Sequence, residues 1–115
     1  MIRVKLAFSN GLFDELLVEG HQEHAIASKP ASLVCTATST LVQNFQDSLA
    51  QLLGLCYFEF CNESGYSLVK RKASYQPDEK FGLILDTIVK ANLIGLKRLE
   101  TEFGSHIQVS LEEVQ

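Results

Sequence analysis

The chain opens with two segments in which apolar and polar residues alternate, the period of a β-strand that is buried on one face. In residues 2–9, every second side chain is apolar. Asn10-Gly11, a pair favoured in two-residue hairpin turns, then leads into a second predicted strand at residues 12–19. Gly20 ends this strand, so the start of the chain is predicted to form a β-hairpin.

Residues 33–53 and 77–103 repeat apolar side chains at the spacing of one helical face. Ser32 is the predicted N-cap of the first helix, and Gly54 is its predicted C-terminal stop. The buried stripe expected for the first helix consists of Val34, Thr38, Leu41, Phe45, Leu49, Leu52 and Leu53. The stripe expected for the second helix consists of Phe81, Ile84, Leu85, Ile88, Leu96, Leu99 and Phe103.

Three further segments have the composition and alternation of strands. Residues 55–61 and 66–72 flank a predicted turn, and residues 107–111 form the last strand. The predicted order is therefore β-β-α-β-β-α-β, in which two amphipathic helices need a sheet face to bury their apolar stripes. This order predicts an α+β sandwich with a mixed sheet. A chain of 115 residues fits a single domain, residues 1–115.

Composition narrows the class of protein. The formal net charge of −4 argues against a nucleic-acid binder, because binding phosphates needs clustered Lys and Arg. The basic run Lys70-Arg71-Lys72 is predicted to be the solvated end of an edge strand. The chain shows no secretion signal and no apolar run of membrane-spanning length, and its three cysteines form no disulfide framework. These features predict a cytoplasmic protein.

Cys35 is the first candidate for chemistry. If Ser32 caps the helix, Cys35 is the third helical residue, close to unpaired amides and to the positive end of the helix dipole. Both features favour the thiolate, which is the nucleophilic form of cysteine. His21 follows Gly20 at the end of the second predicted strand, so His21 and Cys35 form a candidate nucleophile–base pair.

Other assignments of these residues remain open. His24 is a second candidate for the base. His21, His24 and Cys35 also suggest a zinc site, but a structural site usually needs four ligands, so no metal is predicted. Ser39 lies one turn after Cys35 on the same helical face, where it either bonds near the thiol or substrate or allows close packing. No glycine-rich phosphate loop is present, and no cofactor is predicted.

The same residues point to a known family. Gly20-His21 followed by Val34-Cys35-Thr36-Ala37-Thr38-Ser39 resembles the ribosomal-processing cysteine protease family, Prp. Gly65-Tyr66-x-Leu68-Val69 resembles the second hairpin of that family. The motifs are short, but their order and context extend the resemblance over nearly the whole chain.

The resemblance implies a bacterial homodimer that removes a short N-terminal extension from the twenty-seventh large-subunit ribosomal protein, after an aromatic residue. It assigns Cys35 as the nucleophile and His21 as the base, and it places Gly20 and Ser39 at the substrate. From the composition and the motifs together, no cofactor, no direct nucleic-acid binding and no membrane association are predicted.

This sequence departs from the family pattern at Gln22, where Ala is usual, and at Ser32, where many members have Asp. The loop 22–31 also lacks the usual Gly. We expect this loop to be mobile when the site is empty and to close over an extended tail.

Two other functions are compatible with the sequence. In the first, the protein is a non-catalytic dimeric scaffold or ribosome-assembly module that binds a basic ribosomal protein, and Cys35 is a buried helix residue. In the second, Cys35 is a redox-sensing thiol with a partner such as Cys56.

Overall fold

The computed structural model describes residues 1–20 and 29–114. Its elements follow the predicted order: β1 (Ile2–Ser9), β2 (Leu12–Glu19), α1 (Lys29–Leu49), β3 (Phe58–Glu63), β4 (Tyr66–Arg71), α2 (Glu79–Glu102) and β5 (Ile107–Val114). A π-helical turn, Ala50–Gly54, and a 3₁₀ turn, Leu55–Tyr57, connect α1 to β3. No helix in this described part of the chain is long and apolar enough to cross a membrane.

The five strands form one mixed sheet in the order β3-β4-β2-β1-β5. The pairs β1–β2, β2–β4 and β3–β4 are antiparallel, whereas β1 and β5 are parallel. The prediction of an α+β fold with a mixed sheet and two helices is confirmed.

The hairpin between β1 and β2 forms at the predicted turn. Asn10 and Gly11 both have positive φ, at 52° and 79°. A two-residue turn whose twist matches that of the flanking strands requires positive φ at both positions. Ser9 then pairs with Leu12 directly across the turn.

Both helices contribute to one hydrophobic core on one face of the sheet. The ring of Phe45 in α1 packs edge-on against Phe13 in β2, with centroids 5.5 Å apart. The buried positions of α1 are Val34, Thr38, Val42, Phe45, Gln46 and Leu49, and those of α2 are Leu85, Val89, Asn92 and Leu96. The alternate side chains of the strands form the opposite face of the sheet, which carries most of the charged strand residues.

The boundaries of α1 differ from the prediction. The helix begins at Lys29 instead of residue 33, so Ser32 lies inside it and is not the N-cap. The regular helix ends at Leu49, and Leu52 in the π-helical turn is 61% exposed. Residues 55–57 form a helical turn, so β3 starts at Phe58 and not at residue 55.

The boundaries of α2 agree better with the prediction. Asp78 is the N-cap and accepts a hydrogen bond from the amide of Phe81 at 2.9 Å. The ring of Phe81 is 40% exposed, so its place in the predicted buried stripe was wrong.

Arg71 corrects the prediction for the basic run. β4 lies between β3 and β2 and is not an edge strand, and Arg71 is only 6% exposed. Its Nε donates to the carbonyl of Phe13 at 2.8 Å, and its Nη1 donates to the carbonyl of Tyr75 at 2.7 Å. Its Nη2 pairs with the carboxylate of Asp14 at 3.0 Å. The guanidinium therefore joins β4, β2 and the segment before α2.

Replacing Arg71 should test this network. We expect Arg71→Met to lower the free energy of unfolding by about 3 kcal/mol, because two carbonyls and one carboxylate lose their donor. The matched control is Lys70→Met, an exposed neighbour whose change should be within about 0.5 kcal/mol. Urea unfolding of both variants measures the difference, and equal losses would contradict this role of Arg71.

The last strand is fixed to α2 by a side chain. Glu100 accepts a hydrogen bond from the amide of Val109 at 2.7 Å and pairs with Lys97 at 3.1 Å. The bond from the Val109 amide, followed by the interaction with Lys97, lowers the pKa of the Glu100 carboxyl. The carboxylate thereby occupies a backbone donor of β5.

Candidate active site

The structure describes three of the predicted site residues: Gly20, Cys35 and Ser39. Both candidate bases, His21 and His24, lie outside the described residues. The same holds for residues 22–28 of the predicted loop. Residues 29–31, the rest of that loop, belong to α1. The pairing of a histidine with Cys35 therefore stays a prediction.

Gly20 lies where β2 ends and adopts a φ of 84°. Its amide donates to the carbonyl of Gly65, in the turn between β3 and β4, at 3.0 Å. A Cβ at this position would lie 2.5 Å from the carbonyl oxygen of Met1. Glycine is thus required here both by the backbone conformation and by the close approach of the chain's first residue. The hydrogen bond to Gly65 and the close approach of Met1 fix the position of Gly20, from which the chain continues to His21.

A methyl group at Gly20 should therefore be costly. Gly11 has a similar φ of 79°, but a Cβ there would meet nothing within 4 Å, so Gly11→Ala isolates the backbone strain. We expect Gly11→Ala to lose about 1 kcal/mol of unfolding free energy and Gly20→Ala at least about 1 kcal/mol more. Thermal or urea unfolding gives both values. If the two variants lost the same amount, the contact with Met1 would not be the constraint.

Cys35 is the seventh residue of α1 and is half-buried against the core. It therefore lies in the second helical turn, not at the third helical position that the predicted cap at Ser32 implied. The effect of the helix dipole falls off within the first turn of a helix. The backbone of Cys35 therefore lies farther from the positive end of the dipole than predicted. The Cα–Cβ bond of a helical residue nevertheless tilts toward the helix N-terminus, so the side chain of Cys35 leaves the backbone in the direction of the start of α1.

The face of α1 that carries Cys35 is polar. Ser39 follows four residues later and is exposed, whereas Ser32, three residues earlier, is half-buried. Ser39 also borders a shallow depression that is lined by Thr40, Gln43, Asn44 and Asp47. The predicted placement of Ser39 on the Cys35 face is consistent with the helix, and its role at a substrate stays a prediction.

Sequence reasoning took Thr38 for an ordinary member of the apolar stripe. Its side chain is fully buried, and its hydroxyl has no hydrogen-bond partner among the described residues. The hydroxyls of Thr40, Thr87 and Thr101 each donate to the carbonyl one turn earlier. The only sequence signal for this difference between Thr38 and the other threonines was its position as a polar residue in an apolar helical stripe.

The other cysteines lie apart from the predicted dyad in sequence. Cys56 in the 3₁₀ turn and Cys61 in β3 are exposed free thiols. Within residues 1–20 and 29–114, no three His, Cys, Asp or Glu side chains form a group that would hold a metal. Two of the three ligands of the alternative zinc site, His21 and His24, lie outside these residues.

The comparison with protein families identifies the chain. The family model described as "Cysteine protease Prp" matches residues 1–108. The chain belongs to the Prp family of cysteine proteases. The match includes Gly20, Cys35, Ser39 and both candidate histidines, and it confirms the predicted family and the predicted class of enzyme.

Solved structures show the same fold. SMU.848 from Streptococcus mutans is 19% identical, with a TM-score of 0.75, over 99% of this chain and 96% of that chain. The ribosomal processing protease Prp from S. aureus in complex with a substrate peptide is 15% identical, with a TM-score of 0.77, over 96% of this chain and 99% of that chain.

A second structure of the S. aureus Prp holds a covalently linked product peptide and is 17% identical, with a TM-score of 0.73 and the same coverage. No curated protein sequence matches the chain.

Proposed function

We propose that this Prp-family protein is an endopeptidase that removes a short N-terminal extension from the twenty-seventh large-subunit ribosomal protein. The observation that carries the proposal is the family match over residues 1–108. The S. aureus Prp structures with a substrate peptide and with a covalently linked product peptide support peptide chemistry at this fold.

In the proposed reaction, His21 takes the proton from the thiol of Cys35, and Sγ attacks the carbonyl carbon of the scissile peptide bond. The tetrahedral intermediate then collapses, the C–N bond breaks, and His21 gives its proton to the leaving amine. A water molecule, deprotonated by the imidazole, hydrolyses the resulting thioester and restores the thiol. His24 is the alternative base.

Stabilisation of the oxyanion fits the side-chain direction of Cys35. The Cα–Cβ bond of Cys35 tilts toward the first turn of α1, which starts at Lys29, and the positive end of the helix dipole lies there. Negative charge that develops on a carbonyl oxygen beside Sγ would be stabilised at this end of the helix. In this proposal, Ser39, one turn beyond the thiol, bonds the peptide.

The remaining parts of the proposal concern the state of the protein. We infer a cytoplasmic homodimer built from single-domain protomers, residues 1–115, which needs no cofactor or metal and binds neither nucleic acid nor membrane directly. Its partner is the ribosomal protein precursor with its N-terminal extension.

A cleavage assay tests the reaction. We expect the wild type to shorten the extended ribosomal protein precursor and Cys35→Ser to lower the rate at least about 10³-fold, because the hydroxyl is a far weaker nucleophile. Ser48→Ala, a half-buried serine in the same helix, is the matched control and should retain the rate. Mass spectrometry of the products reports both. Binding of the precursor without cleavage would support the scaffold function instead.

The pH dependence of Cys35 alkylation identifies the base. An unassisted thiol with a pKa near 8.5 is about 1% thiolate at pH 6.5, so pairing with an imidazole should raise reactivity there. We expect His21→Ala to slow alkylation at pH 6.5 about tenfold or more and His24→Ala to leave it unchanged. Rates with iodoacetamide, site-resolved by peptide mapping, give the answer. Slowing only in His24→Ala would reassign the base.

A further inference from the structure

The two edge strands of the sheet, β5 and β3, differ in what occupies their outer backbone groups. At one edge, the amide of Val109 in β5 is taken by the carboxylate of Glu100 at 2.7 Å. At the other edge, β3 pairs with β4 along all six of its residues. Among the described residues, no strand pairs with the outer side of β3. The strand also lacks the Lys and Pro residues that commonly block an edge.

The outer edge of β3 lies on the side of α1 that carries the proposed nucleophile. Cys35 and Gln46 are eleven residues apart, about three helical turns, so they share one face of α1. The side chain of Gln46 exchanges two hydrogen bonds with Asn62 of β3, at 2.9 and 3.1 Å. The Cys35 face of the helix is thus the face turned toward β3.

The far end of β3 also leads toward the proposed base. β3 ends at Glu63, and the turn that follows contains Gly65, whose carbonyl accepts the amide of Gly20 at 3.0 Å. Gly20 is the residue before His21. A chain laid along β3 therefore ends near the point from which the sequence continues to the predicted base.

The edge strand has a charge pattern that selects its occupant. Glu59 and Glu63 are exposed and lie four residues apart, on the sheet face away from the helices. Because side chains alternate along a strand, a partner strand would place two of its residues, also four apart, opposite these carboxylates. Lys or Arg at those positions complements the charge, whereas a second copy of β3 would bring further glutamates to the edge.

We propose that the outer edge of β3 binds an extended, Lys- or Arg-bearing segment of the substrate as a sixth strand and thereby leads it to Cys35. Backbone hydrogen bonds supply the affinity, as in other cases of strand addition. Glu59 and Glu63 supply the preference for basic segments. This inference rests on the proposed function and specifies the substrate class that the site takes.

Charge reversal with matched peptides tests the preference. The test uses two peptides with the same scissile bond. The flanking positions are Lys in the first peptide and Glu in the second. We expect the double variant Glu59→Lys, Glu63→Lys to change the ratio of kcat/KM between the two peptides about tenfold or more in favour of the Glu-bearing peptide. Glu112→Lys, on the other edge strand and the same sheet face, is the matched control and should leave the ratio unchanged. An equal change in both variants would overturn the proposal.

A binding experiment separates this inference from the proposed catalysis. Cys35→Ser with the Lys-bearing peptide should gain hydrogen-exchange protection at outward amides of residues 58–63. A peptide N-methylated at alternate backbone positions should lose that protection. Protection of β5 alone, or of neither edge strand, would overturn strand addition at β3. If residues 58–63 are protected but the wild type cleaves no peptide, the proposed protease function fails while the edge site stands.

The same measurement identifies a competing occupant. If protection of residues 58–63 appears without peptide and rises with protein concentration, and sedimentation shows a dimer in parallel, a second copy of the chain occupies the edge. That outcome would overturn the substrate-binding proposal.

Discussion

The layout of the fold depends on the buried guanidinium of Arg71. Its hydrogen bonds to Phe13, Asp14 and Tyr75 hold β4 beside β2 and fix the segment that leads into α2. The ring of Tyr75 in that segment stacks on Tyr57 at 4.1 Å and meets Phe58 edge-on at 5.8 Å. Burial, with smaller contributions from nearby groups, raises the pKa of Tyr75. Through Tyr75, the guanidinium thus links β4 and β2 to the start of β3 and to the segment before the second helix.

Local patterns in the sequence predicted the elements well, because each depends on neighbouring residues. The Asn10-Gly11 turn, the alternation in β1 and the helical periods all arise from interactions within a few positions. The order of the strands does not arise in this way. Lys70-Arg71-Lys72 has the composition of an exposed edge, and only the placement of β4 between β3 and β2 shows that Arg71 is buried.

The start of α1 was mispredicted for a related reason. Ser32 is a good capping residue, but capping preference is weak compared with the gain from extending a helix that packs on a sheet. Pro30 does not oppose the longer helix, because proline is tolerated in a first turn. The motif placed Gly20 at the end of a strand and Cys35 on a helix correctly. The requirement for glycine at Gly20 comes partly from its positive φ and partly from the approach of Met1, and no local pattern reveals that approach.

The parallel pairing of β1 with β5 has a consequence for how the sheet assembles. Ile2 lies beside Ile107, and this register continues to the ends of both strands. The side of β1 that pairs with β5 therefore stays unpaired until residues 107–114 have been synthesised. Contacts so distant in sequence close late and slow the folding reaction. Until then the β1–β2 hairpin displays an open flank, which makes the nascent protein a candidate for chaperone protection during translation.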